Sequence, residues 1–342
     1  MSSPSVHETD LARFSREVDK LSLLPLWERV SGMKPGSSCV PKIWRYEELR
    51  PELMKAVSLI SKKEADRRVL VLENPSLRGT TFINNTLYAG LQIIMPGEIA
   101  TMHRHTPNAL RFVVEGEGAY TAVAGERTTM HPGDFIVTPN WSWHDHGNLG
   151  SGPVVWMDGL DTPFAKLFGA MFREESDDES QALEYQEGDS TALYGSNMLP
   201  VNYEPKGLES PVLSYPYERT REALCHLLRS RDVHPVHGVK LRYVNPANGK
   251  HPFPTMAVFM QLLPPGFEGQ PYRCTDGTVF CVVEGTGSVS VGDELYSFRP
   301  HDIFVIPPWY SHRLHASSEV VLFSYSDRAA QELLGFWKEE LL

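Results

Sequence analysis

The chain has 342 residues, which at roughly 150 residues per domain allows about two domains, each large enough to bury its own core. Hydrophobic residues make up 41% and charged residues 22%, a globular composition that excludes disorder over most of the length. With 32 Lys+Arg against 43 Asp+Glu the net charge is −11, which speaks against nucleic acid or an anionic membrane surface as partner. In chain order, the polar start Met1 to Asp10 does not read as a signal peptide, and no run approaches the ~18 apolar residues of a membrane helix. The first thirty residues read as helix: Leu11, Phe14, Val18 and Leu21 recur at helical spacing, Ser5 and Glu8 suit a capping box, and Pro25 ends the pattern. From about Arg67 the texture changes to short β-type runs, Val69–Leu72, Leu91–Ile94, Phe112–Val114, Phe135–Val137 and Val154–Trp156, punctuated by Gly, Pro and Asn. An acidic stretch, residues 174–180, reads as a solvated linker or loop. A short helix near Tyr217 to Leu228 precedes a second β-rich region, and a helical segment from Ala329 to Lys338 closes the chain. The four cysteines, Cys39, Cys225, Cys274 and Cys281, are scattered and form no CxxC pair, which points to reduced thiols and a cytoplasmic protein.

The two β regions are copies. Val113-Val114-Glu115-Gly116-Glu117-Gly118 matches Val282-Val283-Glu284-Gly285-Thr286-Gly287 at an offset of 169, as Gln92 and Gly97 match Gln261 and Gly266. Pro139-Asn140-Trp141 matches Pro307-Pro308-Trp309, and Val154-Val155, Asp161 and Gly169 match Val320-Val321, Asp327 and Gly335. Such slow drift, absorbed by loops, marks a duplicated domain. The expectation is a mainly β protein of two antiparallel β-barrels. Residues 1–66 form a helical arm and lead-in, 67–172 the first barrel, 173–233 an acidic and helical connection, and 234–342 the second barrel with its C-terminal helix.

The first copy holds a metal-binding pattern. His103 and His105, two apart on a strand, point to one face, and His144 on an antiparallel neighbour completes a triangle. Three neutral imidazoles bind a divalent transition metal and leave positions open, although the ligand set alone does not select the metal. In the second copy the matching positions are Tyr272, Cys274 and His312, so one metal per chain is expected, in the first barrel. Arg111 replaces Phe280 and suits a bidentate grip on a carboxylate. Asp158, on the same face as Trp156, stands where the copy has Ser324, an asymmetry that points to function: a carboxylate there suits accepting a hydroxyl hydrogen bond or positioning a basic group. His146 lies on the His144 face and Tyr88 precedes the Gln92 strand; both are candidate pocket residues. Gln92 recurs as Gln261, so a structural role competes with a ligand contact. Of Arg67 and Arg68, strand alternation sends one inward without saying which.

Gly97-x5-His103-x-His105 ending at Gly116, and Gly133-x5-Pro139 with His144-x3-Asn148, resemble the two motifs of the cupin superfamily. The stretches His103-Arg104-His105-Thr106-Pro107-Asn108-Ala109-Leu110-Arg111-Phe112 and Trp141-Ser142-Trp143-His144-Asp145-His146-Gly147-Asn148 resemble the bicupin gentisate 1,2-dioxygenase family, across both barrels. Two departures from the general cupin pattern stand out: Ala109 occupies the position of a common glutamate ligand, and Trp141 that of a glycine. The resemblance implies Fe(II), opening of the gentisate ring between C1 and C2 with O2 to give maleylpyruvate, and a homotetramer. The substrate partners would be a small aromatic acid and O2, with salicylate or 1-hydroxy-2-naphthoate as alternative acids. Family position favours Arg67 over Arg68 for the pocket. The other classes weighed are a sugar-phosphate isomerase, which Ala109 disfavours, and a non-catalytic binding or storage module, which would not need an intact triad.

Overall fold

The computed structural model describes residues 6–28, 35–204 and 207–342. The chain divides into two compact units between Gly36 and Ser37. In the smaller unit a helix spans Val6–Asp19, followed by a short turn at Leu26–Glu28, and Phe14 stacks on Trp27 at 6.4 Å. The helix stops before Pro25 is reached, because the chain closes turns on Val18 and Asp19 carbonyls at Leu21 and Ser22. The capping box proposed at Ser5 lies outside the described residues. The segment 1–66, read from sequence as one arm, is therefore split: from Ser37 onward it belongs to the main body, where Lys42–Trp44 is a strand and Tyr46–Leu59 a helix.

The main unit consists of two halves with the same strand order. In the first, a six-stranded antiparallel sheet runs Ser214–Tyr215, Phe135–Thr138, Ala109–Glu115, Val154–Leu160, Tyr88–Ile94, Arg68–Val71. Its facing five-stranded sheet runs Arg173–Glu175, Ile99–His105, His144–Asn148, Ala119–Val123, Glu126–Thr129. The second half repeats the first order with Lys42–Trp44, Ile303–Ile306, Thr278–Glu284, Val320–Ser326, Ala257–Leu263, Val239–Arg242. It repeats the other with Glu339–Leu341, Tyr272–Cys274, His312–Ala316, Gly287–Val291, Glu294–Phe298. Each large sheet thus borrows an edge strand from outside its own repeat: the first from the connection, the second from the lead-in.

The central strands are apolar on both faces because both faces are covered. One face of each six-stranded sheet packs against the other half, with Phe112 stacked on Phe323 at 4.0 Å within a continuous cluster that includes Val155, Met157, Met260 and Tyr325. The opposite faces turn inward: Trp156, Val113 and Ile136 in the first half, Phe280, Phe304 and Leu322 in the second. The repeated glycine of the Val-Val-Glu-Gly motif has the same reason twice. Gly116 (φ +89°) and Gly285 (φ +79°) take left-handed backbone, and a Cβ there would lie 2.3 Å from the Pro153 carbonyl oxygen and 1.9 Å from that of Glu319.

Two sequence expectations need correction. The acidic stretch does not begin as loop: Arg173–Glu175 is a strand in register with His103–His105, and Glu174 pairs with Arg104 at 2.6 Å. Its side chains remain solvated, so charge alone hid its backbone role. The closing helix is shorter than expected. It runs Arg328–Leu334 and ends at Gly335 in left-handed conformation (φ +73°), after which Glu339–Leu341 adds an edge strand beside Tyr272–Cys274.

Candidate metal centre

The strand Ile99–His105 carries His103 and His105, and His103 is the cross-strand partner of His144. Ring centroids lie 5.3 Å apart for His103–His105, 4.1 Å for His103–His144 and 4.8 Å for His105–His144. One ligand atom from each falls within 4.8 Å of the others, and among the described residues this is the one such convergence of His, Cys, Asp or Glu side chains. Two backbone carbonyls set the tautomers. His105 Nδ1 lies 2.8 Å from the Pro107 carbonyl and His144 Nδ1 2.8 Å from the Ser142 carbonyl. Carbonyls only accept, so both rings carry the proton on Nδ1 and present the Nε2 lone pair inward. The buried Nε2 of His144 has no partner in the protein, as a ligand position requires.

Electrostatics keep the rings neutral. Burial pushes His105 down to about 4, and holds His103 and His144 still lower, with neighbouring cations adding to the effect. The cluster is thus in the protonation state that binds a cation, and its donor set fits a divalent transition metal. His103 carries one complication. Arg67 Nη2 sits 2.6 Å from its Nδ1 and also donates to the Thr101 carbonyl at 2.6 Å. A guanidinium only donates, so His103 here bears its proton on Nε2, and binding an ion through that atom requires Arg67 to release Nδ1.

Around the imidazoles lie the remaining sequence candidates. Arg111 is buried, its Nη1 donating to Thr138 Oγ1 at 2.5 Å and its Nε 3.3 Å from Asp158 Oδ1. That Nε has no aligned acceptor. Asp158 accepts from Trp156 Nε1 at 3.1 Å, and burial pushes its carboxyl up to about 6 against the opposing pull of Arg111. His146 is fully buried: Nδ1 lies 3.0 Å from Thr121 Oγ1, Nε2 has no partner, and the ring stands 5.6 Å from His144. Tyr88 is partly buried, its hydroxyl pushed up by burial and by Asp158. Gln92 is buried opposite Trp156. Of the two arginines, Arg67 reaches the imidazoles, whereas Arg68 turns away to Glu98 at 2.7 Å and the Ile60 carbonyl. Thr138, Thr121, Pro107 and Ser142 were not anticipated. The last two sit two residues from a ligand, a spacing that could have flagged them.

At the matching positions of the second half, Tyr272 donates to Glu339 at 2.7 Å and the Cys274 thiol faces the Asp276 carbonyl at 3.7 Å.

Comparison with known proteins agrees with this geometry. The Cupin domain model matches residues 90–160 and 259–324, one segment in each half. The chain is 51% identical, over 95% of both chains, to gentisate 1,2 dioxygenase 1 of Aquipseudomonas alcaligenes. The chain belongs to the gentisate 1,2-dioxygenase family. A 1-hydroxy-2-naphthoate 1,2-dioxygenase of Nocardioides is 34% identical over 92% of this chain and 82% of its own. The crystal structure of a salicylate 1,2-dioxygenase from Pseudoaminobacter salicylatoxidans with gentisate superposes with TM-score 0.90 at 32% identity, covering 100% of this chain and 95% of that one. The bicupin fold expected from sequence is therefore the fold of this family, ring-cleaving dioxygenases whose members act on several aromatic acids.

Proposed function

We propose that this protein opens the ring of gentisate between C1 and C2, taking both atoms of O2 into maleylpyruvate, with one Fe(II) per chain held by His103, His105 and His144. The observation that carries the reading is the convergence of three neutral imidazoles beside the buried Arg111–Asp158 pair, in a chain of this family. Fe(II) there would bring the acid and O2 together and conduct electrons between them. The protein's own groups bind and orient. Arg111 receives the substrate carboxylate through nitrogens not engaged by Thr138, and Arg67, once off His103, adds a second cation. Burial lowers the Arg67 guanidinium to about 10, so it stays charged at neutral pH. His146 Nε2 and Asp158 hold or accept protons from the phenolic hydroxyls, while Tyr88 and Gln92 line the ring. Positioning supplies most of what these side chains contribute.

Oxygen uptake by iron-loaded protein tests this. Gentisate should support the fastest consumption, with maleylpyruvate formed one for one. Salicylate and 1-hydroxy-2-naphthoate, which lack the para hydroxyl that enriches the ring, should be slower. The relatives named for those acids favour a broadened specificity as the second reading. No uptake with gentisate would overturn the first. The same reading carries a cytoplasmic homotetramer, supported by the family resemblance and by four unpaired thiols.

A further inference from the structure

The second half keeps a pocket where the first holds its imidazoles. A cavity of about 200 Å3 is lined there by Lys240, Gln261, Tyr272, His312, Phe259 and Phe280, among others. Lys240 faces Gln261 across the strand pair, at the position where Val69 faces Gln92 in the first half. The second half thus has one of the three imidazoles, His312, and, at this position, an ammonium that the first half lacks. That ammonium lies 4.5 Å from the Phe259 ring centre and 6.0 Å from that of Phe280. Among the described residues no carboxylate lies within ion-pair distance of it, and no acceptor takes its hydrogen bonds. Burial pushes it downward, with Asp276 opposing.

Of the other charged groups of the lining, Arg313 is exposed, Arg242 donates to the Gly249 carbonyl at 3.2 Å, and two more are paired. Asp276 accepts from Trp337 Nε1 at 2.8 Å and Thr278 Oγ1 at 3.4 Å, and Arg328 pairs with Glu332 at 2.7 Å while lying over Trp337. Gln261, 1% exposed, donates its amide to the His237 carbonyl at 2.7 Å, and its Oε1 has no partner. A cation without an anion and an acceptor without a donor therefore stand side by side, since directly paired residues keep their Cβ atoms about 5 Å apart. A half-buried ammonium without an anion and a buried acceptor without a donor are both left unsatisfied by the protein.

We propose that this cavity binds a small hydroxycarboxylate, its carboxylate on Lys240, its hydroxyl donating to Gln261 Oε1 and a short apolar body against Phe259 and Phe280. The volume falls below the ~300 Å3 of the smallest drug-sized sites, which limits the ligand to a few carbons. The test is calorimetric titration of 2-hydroxybutyrate into the full-length chain. Because a metal in the first half would also chelate this acid, the decisive protein is metal-free His103→Ala. It should bind one equivalent, and butyrate should bind at least tenfold more weakly. Lys240→Met should lower affinity at least tenfold in this background, and in the wild-type chain should leave gentisate-dependent oxygen uptake unchanged. Gln261→Leu, a milder change that guards against misfolding of the first variant, should erase the preference for 2-hydroxybutyrate over butyrate. Absence of binding to metal-free His103→Ala, or unaltered binding in Lys240→Met, would overturn the proposal, as would a soaked crystal holding only water beside Lys240.

Discussion

At matched register the two halves pair His103 with His144 and Tyr272 with His312, Asp158 with Arg111 and Ser324 with Phe280. Backbone and hydrogen-bond ladder are shared; the inward side chains are not. In the second half Phe280 stacks on Phe304 at 4.8 Å and Leu314 takes the position of His146, so apolar packing replaces several of the polar groups and leaves the smaller cavity around Lys240. In the first, a charge pair and imidazole rings fill equivalent positions, and the buried atoms without partners, Arg67 Nε, Arg111 Nε, His144 Nε2 and His146 Nε2, gather in one place. The first half concentrates these unsatisfied polar atoms around the imidazoles, whereas in the second Gln261 Oε1 and Ser324 Oγ stand without partners. Even the surface separates scaffold from site. Arg104 lies 4.6 Å over Trp141 and pairs with Glu174, and Arg273 lies 4.7 Å over Trp309 and pairs with Glu340, so this staple belongs to the scaffold.

The contrast can be broken by exchanging residues between halves. Arg111→Phe should abolish measurable ring opening and cost about 3–5 kcal/mol of stability, because Asp158 is left buried and unpaired. Arg111→Phe with Asp158→Ser, the second half's own combination, should recover most of that stability in denaturant melts while turnover stays lost. If the double variant keeps the single variant's instability, the two pairs are not interchangeable solutions of one scaffold.

Acid probes the buried imidazoles of both halves. His105 titrates near 4 when folded against an ordinary ~6.5 when unfolded, so below 6.5 the unfolded chain takes up more protons. Stability contributed by the neutral ring is complete above pH 6.5 and falls as pH drops toward 4, on the order of 3 kcal/mol for this group. The metal-free chain should therefore lose melting temperature through that window. His312 of the second half, also pushed down to about 4 by burial, adds a like contribution, so the share of the first half is the part that His105→Leu removes, and a flat wild-type profile would contradict the assigned burial. The smallest effect is expected at the staples. Arg104→Ala and Arg273→Ala should each cost about 1 kcal/mol or less, since exposed ion pairs and cation–π contacts are weak. A large loss of stability in only one of them would show that the staple has been recruited to one half.

Much of this was legible in sequence because the duplication acts as its own alignment. The His103, His105 and His144 spacing defined the imidazole face, and the substitutions Arg111 for Phe280 and Asp158 for Ser324 marked where the copies diverge. What stayed hidden depends on partners distant in the chain. Edge strands such as Lys42–Trp44 and Arg173–Glu175 carry little periodic signal, because they are short and paired on one side. The choice between Arg67 and Arg68 rests on Glu98 capturing the latter, and the arrest of the closing helix rests on Gly335 followed by pairing with Tyr272–Cys274. Nothing in the sequence singles out Lys240, because a lone lysine in a strand ordinarily faces solvent.

The central claim is that metal binding and catalysis reside in the first half alone. Its most direct test is metal content per chain after anaerobic Fe(II) loading and desalting, measured on the wild type, His103→Ala and His312→Ala, alongside gentisate-dependent oxygen uptake. One iron per chain and full turnover in the wild type and His312→Ala, with both lost in His103→Ala, is the predicted result. Iron and turnover retained in His103→Ala, or removed by His312→Ala, would contradict it.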